Sequence, residues 1–251
     1  MTNSLISKKA SLGKNVQVGP NTIIHDNVII ADNVTIESNC IIGSPTKHAK
    51  GKPLIIGKDS YIRSHSVFYE GSSFDDRLIT GHHLLIRENI NAGKNLQIGS
   101  YTELEGDTDI GNFVRLHSKV QLSKETTVGD FVWIFPRVQT STDPLPPSKI
   151  EEPITIGDMA VIAIGSLILP GSNIGIGSFV AAGSVVRGVV PDVHCVSGSP
   201  AKVFAKLDKL INFKHRLSYP WPKHNKGSYP EDSYPLMDSY VKKINTLLKK
   251  V

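Results

Sequence analysis

An apolar residue returns at every sixth position along most of this 251-residue chain. In the stretch "LIIGKDSYIRSHSVFYEGSSFDDRLITGHHLLIREN" it falls on Ile56, Ile62, Phe68, Phe74 and Ile86, with Thr80 in the same series. The series starts at Ile6, Leu12 and Val18 and runs on to Ile168, Ile174, Val180 and Val186. Of 28 such places 26 are apolar, and the exceptions are Thr80 and Thr140. An α-helix has a period of 3.6 and does not sustain a beat of six. The apolar residue is the third of its hexad. The first place shares its strand phase, so both point inward. The fourth place is often Gly, as in Gly57, Gly81 and Gly99, which reads as the positive φ of a tight corner. A short strand and a corner every six residues describe a β-solenoid with three hexads in each 18-residue coil. Thr fills a Val-sized space, so Thr80 and Thr140 are expected in the core with their hydroxyls bonded to backbone.

Two segments break the count. Residues 46–53, "TKHAKGKP", and 144–153, "PLPPSKIEEP", are additional to it, and the register resumes after each. They read as loops thrown out from corners, where function concentrates on a rigid scaffold. The expected organisation is a solenoid over 1–197 and a helical tail or cap over 198–251. Within the tail, "LDKLINFKHRL" has helical character, "SYPWPKHNKGSYPEDSYP" reads as extended, and "LMDSYVKKINTLLKK" reads as an amphipathic helix.

The net charge of +5 invites a nucleic-acid reading, but its distribution opposes one. Residues 201–251 hold 11 Lys and Arg against 4 Asp and Glu, while the other 200 residues hold 17 against 19. The body is near neutral, so neither nucleic acid nor a membrane is an expected partner. "MTNSLISKKA" lacks the apolar run of a secretory signal, and the expected location is the cytoplasm. The two cysteines, Cys40 and Cys195, read as reduced structural thiols.

The hexads, the segment "ILPGSNIGIGSFVAAGSVVRGVVPD" and the ending "VSGSPAKVFAKL" resemble the left-handed β-helix, or hexapeptide-repeat, acyltransferases. The resemblance covers roughly residues 10–210. It implies an all-β fold, a left-handed parallel β-helix with a C-terminal helical tail; the handedness comes from the resemblance alone. It also implies a homotrimer with acyl-CoA lying between neighbouring solenoids. Within the family, "TGHHLLIREN" and the "TDPLPPS" loop look most like N-acyltransferases of nucleotide-linked amino-deoxysugars for surface polysaccharide biosynthesis. The acceptor would be a dTDP- or UDP-sugar and the donor acetyl-CoA or another short acyl-CoA. Sugar O-acetyltransferases of this fold usually carry a catalytic His beside the Asp of that loop, and "STDPLPPS" has none. Sugar O-acetylation and a non-catalytic β-helix scaffold are the alternatives.

Residues 18 apart should stack. His65, His83, Tyr101 and Lys119 then share one corner, and Arg87, Glu105 and Ser123 another. An acceptor amine must attack a thioester as its free base, and a His or carboxylate can take its proton or hold it. His83, Glu105 and His117 are the catalytic candidates. His82, Arg87, Glu88, Asn89 and Asp143 are the substrate-binding candidates. The resemblance assigns the cofactor to Ala163, Gly165, Ala181, Ala182 and Gly183, where small residues admit the pantetheine arm, and to Arg187 and Lys202 for the phosphates. γ-Type carbonic anhydrases share this fold and need three His ligands. No two of the nine histidines are five apart here, so no metal is expected.

Overall fold

The computed structural model describes residues 4–250. The chain forms two compact units, Met1–Thr127 and Val128–Val251. In the first unit Leu5–Ile6, Ile23–Ile24, Ile41–Ser44, Val67–Tyr69, Leu85–Ile86, Glu103–Leu104 and Gln121–Leu122 pair in parallel along one face. Val67 lies on Leu85, Leu85 on Glu103 and Glu103 on Gln121, a step of 18 residues each time. A second face runs from Ser11–Leu12 to Asp109–Ile110 and a third from Gln17–Val18 to Arg115–Leu116. The unit is the parallel β-solenoid that the beat of six dictates. Ile30 pairs with Ile56, so the excursion through residues 46–53 leaves the register unbroken. That excursion contains a 3₁₀ turn, Lys47–Ala49.

First and third places both face the core. Ile56, Ile62, Phe68, Ile86 and Leu104 are fully buried, and so are first-place Ser66, Ser72 and Thr108. A buried hydroxyl is costly unless bonded, and a regular device satisfies these. Ser72 Oγ donates to the Arg87 carbonyl and accepts from the Ile90 N–H, tying one coil to the next. Ser66 and Thr102 make the same kind of bridge. Thr80 is buried in the inner row, and its hydroxyl accepts from the Arg63 N–H at 2.9 Å.

The corners correct one expectation. Positive φ falls on the sixth place of most hexads, and in this unit that place is rarely Gly. It is Asp59, His65, Arg77, His83, Asn89, Asn95, Tyr101, Asp107, Phe113, Lys119 and Glu125, with φ between 46° and 66°. Apart from Gly43, which takes φ 78°, the fourth-place glycines serve another purpose. A Cβ on Gly57 would sit 2.5 Å from the Asp75 carbonyl carbon and 2.5 Å from the Asp76 nitrogen, both in the next coil. Glycine is present there because stacked backbones leave no room for a side chain.

In the second unit Gln139–Thr140, Leu167–Ile168 and Val185–Val186 form one face, and Thr155–Ile156, Asn173–Ile174 and Val189–Val190 another. The third holds Trp133–Ile134, Val161–Ile162, Phe179–Val180 and His194–Gly198, after which Ala201–Lys206 turns back antiparallel. The segment "LDKLINFKHRL" is not helical beyond a 3₁₀ turn, Leu207–Lys209. Asn212 Oδ1 accepts from the His215 N–H and Arg216 takes φ 54°, so the chain reverses. Ile211 then pairs with Ser218 and Asn212 with Leu217, a local turn that overrides helix propensity. The segment from 219 is likewise not simply extended, since Pro222–Asn225 is a short helix.

The helix Tyr234–Lys250 agrees with the amphipathic reading of "LMDSYVKKINTLLKK". Met237 and Ile244, two turns apart, are buried. Between them Tyr240 donates its hydroxyl to Asp130 at 2.9 Å. Ile244 packs where Gly177 has no side chain, since a Cβ there would lie 2.8 Å from Ile244 Cδ1. Trp221 meets Trp133 edge-on at 5.9 Å, and Tyr229 meets Phe131 at 5.5 Å, so the segment before the helix seals an aromatic layer on the third face. Among the described residues no helix is long and apolar enough to cross a membrane.

Two glycines separate the roles argued above. Gly57→Ala forces a methyl into backbone and is expected to cost about 3 kcal/mol, the upper part of the overpacking range. Gly183→Ala meets nothing within 4 Å but must hold φ 66°, and should cost about 1 kcal/mol. Urea denaturation of both variants checks the order; equal losses would refute it.

Candidate functional site

In the first unit one edge follows the strands Tyr61–Ile62, Ile79–Thr80, Gln97–Ile98 and Arg115–Leu116. Its sixth-place residues all share the left-handed backbone, which aims their side chains the same way at each coil. Coils repeat at about 4.8 Å, close to the spacing of stacked rings. The His65 and His83 rings stack at 4.7 Å and 25°, and His83 and Tyr101 at 4.8 Å and 4°. Both faces of the His83 ring are therefore covered, and only its edges meet solvent. His82 points elsewhere. Its Nδ1 lies 2.9 Å from Ser64 Oγ and 3.8 Å from Glu37 Oε2. The Glu37 carboxyl is held below its usual range, chiefly by the Tyr61 hydroxyl at 2.7 Å.

His117 belongs to the same edge, in the fourth place, on the coil that stacks against Gly99. It is half-buried, and burial lowers its pKa below 6.5. At neutral pH it is the uncharged, proton-accepting imidazole.

Glu105 stands on a different edge, which follows Leu85–Ile86 and Glu103–Leu104. A whole sheet face separates it from His83. Its Oε1 accepts from Gln121 Nε2 at 2.6 Å. One coil earlier Arg87 and Glu88 grip each other with two bonds, Nε to Oε2 at 3.1 Å and Nη2 to Oε1 at 3.0 Å. Burial of Glu88 opposes its ionisation, but the Arg87 guanidinium outweighs it and holds the carboxyl below its usual range. Arg87 also lies over the Tyr69 ring at 5.7 Å. Asn89 donates to the His48 carbonyl at 3.2 Å and to Asp107 Oδ1 at 2.9 Å, so it fastens the 46–53 excursion to this edge. Beside it opens a groove of about 640 Å³ lined by Lys50, Lys52, Ile55, Asn91, Asp107 and Asp109 among others. Asn89, a substrate-binding candidate from the sequence, also lines the groove, with Asp107 one step of 18 beyond it, whereas Lys50, Lys52, Ile55, Asn91 and Asp109 were not singled out. Their signal was the placement of an excursion beside the outward column Ser73, Asn91, Asp109. Among the described residues no three His, Cys, Asp or Glu side chains converge as metal ligands would.

In the second unit Asp143 organises its own loop. It accepts from the Leu145 N–H at 3.0 Å, the Ser148 N–H at 2.8 Å and the Ser148 hydroxyl at 2.7 Å. The Ser148 hydroxyl is the main reason its pKa lies below 3.8. Ala163 and Ala181 donate to the next coil, at Val180 and Val196, both at 2.9 Å. Gly165 and Gly183 occupy the sixth place with φ 69° and 66°, and a Cβ on either would meet nothing within 4 Å. The backbone there has open space beside it. Ala182, Arg187 and Lys202 are exposed, and Lys202 pairs with Ser197 in the final hairpin.

Residues 6–44 match the family model described as bacterial transferase hexapeptide (six repeats). A 72-residue stretch is 43% identical to the 2,3,4,5-tetrahydropyridine-2,6-dicarboxylate N-acetyltransferase of Clostridium perfringens (strain SM101 / Type A), covering 29% of this chain and 30% of that protein. The Staphylococcus aureus (strain JH9) protein of the same name is 36% identical over 72 residues, 29% of each chain. The chain thus spans about 30% of the length of the curated relatives it matches. Among solved structures, an Arabidopsis UDP-N-acetylglucosamine acyltransferase aligns with TM-score 0.60 and 16% identity over 81% of this chain and 73% of that one. The Campylobacter jejuni UDP-N-acetylglucosamine acyltransferase aligns with TM-score 0.55 and 16% identity over 97% and 93%. At that identity the likeness is one of fold. The matched repeats are of the hexapeptide transferase kind, and the shared architecture is that of a left-handed parallel β-helix.

Proposed function

We propose that the protein is a CoA-dependent N-acyltransferase whose acceptor is the amino group of a nucleotide-linked amino-deoxysugar, dTDP- or UDP-bound, used in surface polysaccharide biosynthesis. The observation that carries the reading is His117, a desolvated imidazole kept neutral at an edge of the solenoid. Relatives named as N-acetyltransferases and folds named as acyltransferases of a UDP-sugar support the reaction class. Acetyl-CoA or another short acyl-CoA supplies a thioester carbonyl. The amine attacks it, the C–N bond forms, the C–S bond breaks, and the thiolate carries away the proton that the amine loses. His117, Glu105 or the edge of His83 receives that proton on the way. Corner N–H groups stabilise the oxyanion. Gly165 and Gly183, with Ala163, Ala181 and Ala182, admit the pantetheine arm, and Arg187 and Lys202 pair with its phosphates. The working assembly is a homotrimer with its sites at subunit interfaces, which brings different edges of neighbouring copies together. Arg87 and Glu88 neutralise each other and act as a support for Asn89.

His117→Ala should lower kcat roughly 100-fold or more, the usual contribution of a positioned base. In the wild type the acid limb of the kcat profile should fall below pH 6.5, because His117 accepts a proton only above its lowered pKa. An unchanged kcat in His117→Ala, read as thiol release with a nucleotide amino sugar, overturns the assignment. Acetyl-CoA should raise the melting temperature of the wild type, and less so that of Arg187→Ala with Lys202→Ala; no shift in the wild type argues for a non-catalytic scaffold.

A further inference from the structure

The groove on the second face of the first unit presents charge of both signs. On one wall the 46–53 excursion carries Lys50 and Lys52, and on the other stand Asp107 and Asp109. The excursion is pinned rather than loose. Asn27 Nδ2 donates to the Gly51 and Lys52 carbonyls at 3.2 and 3.0 Å, and the Thr46 N–H donates to Glu70 Oε1 at 3.1 Å. Ala49 is fully buried, and a Cβ on Gly71 would lie 2.8 Å from its own Cβ. The backbone that bears both lysines is therefore fixed over the groove.

The acidic wall is also ordered. Asp107 Oδ1 accepts from Asn89 and Asp109 Oδ1 accepts from Asn91 at 3.4 Å. Asp107 also meets Lys124 Nζ through Oδ2 at 3.9 Å, whereas Asp109 keeps its second oxygen for hydroxyls or an ammonium. Between the walls Ser73 and Asn91 supply neutral donors and acceptors, and Ile55 an apolar patch for a sugar's C–H face. A single-sign ligand is repelled by one wall or the other, whereas a zwitterion fits both.

We propose that this groove is the acceptor site and that it selects a nucleotide-linked amino sugar by its two charges, Lys50 and Lys52 taking the diphosphate and Asp109 taking the sugar ammonium. The inference rests on the acceptor class proposed above and gives it a location. The volume of about 640 Å³ accommodates a ligand of that size.

Calorimetric titration of the full chain without acyl-CoA tests it, using dTDP-glucose and a dTDP-linked amino-deoxyhexose. The wild type should bind the amino sugar several-fold more tightly. Lys50→Glu with Lys52→Glu should weaken both ligands roughly tenfold, as expected for reversing two exposed charges. Asp109→Asn should weaken only the amino sugar, by about fivefold. All three side chains are exposed, so the variants should keep the wild-type Tm, and Lys52→Gln gives a milder check of the same wall. Affinities that ignore the lysine reversal, or an Asp109→Asn that weakens both ligands alike, overturn the groove and leave the acceptor class standing. Failure of the wild type to bind either ligand, or UDP-glucose and a UDP-linked amino sugar titrated in the same way, overturns both.

Discussion

The close approach of one coil to the next is the constraint from which the rest follows. Most fourth-place N–H groups donate to a carbonyl of the next coil, as Gly57 does to Phe74, 17 residues ahead, at 2.8 Å. With backbone groups satisfied in this way, a coil cannot drift along the axis without losing a whole ladder. The same proximity empties the space beside Gly57 and Gly81, so glycine there is a packing requirement. It also places first-place hydroxyls within reach of two coils at once, which is why a core can carry so many Ser and Thr.

A second consequence is the use of the corners. Left-handed backbone at the sixth place costs an ordinary residue about 1 kcal/mol. In exchange these side chains line up in columns, one per coil along an edge. His65, His83 and Tyr101 become a stack of rings because the coil spacing falls within the centroid separation of offset-stacked rings. Asn89 and Asp107 become a bonded ladder for the same reason. The paired histidines are therefore not equivalent: His83 is the middle of a stack, while His82 answers to Ser64 and Glu37.

Much of this was legible beforehand. The period of 18, the inward rows and the stacking of His65 on His83 on Tyr101 all follow from counting residues. The terminal helix followed from its amphipathic pattern. What counting missed has local causes. Asn212 turns "LDKLINFKHRL" into a hairpin. Positive φ moved from fourth to sixth place because the fourth is governed by coil-to-coil contact. The Arg87–Glu88 pair turned inward on itself, since adjacent residues of opposite charge beside a buried turn satisfy each other before any ligand.

The chain's own order of residues determined the solenoid, because a strict period leaves one way to bury a row every six residues and pair every strand. It also determined which residues share an edge. Only the folded molecule decided that His117 is desolvated, that Glu105 and the histidines stand on different edges, and that a pinned excursion sets two lysines opposite two aspartates. Burial and opposition across a groove are relations between coils and loops far apart in sequence, and no periodicity along the chain encodes them.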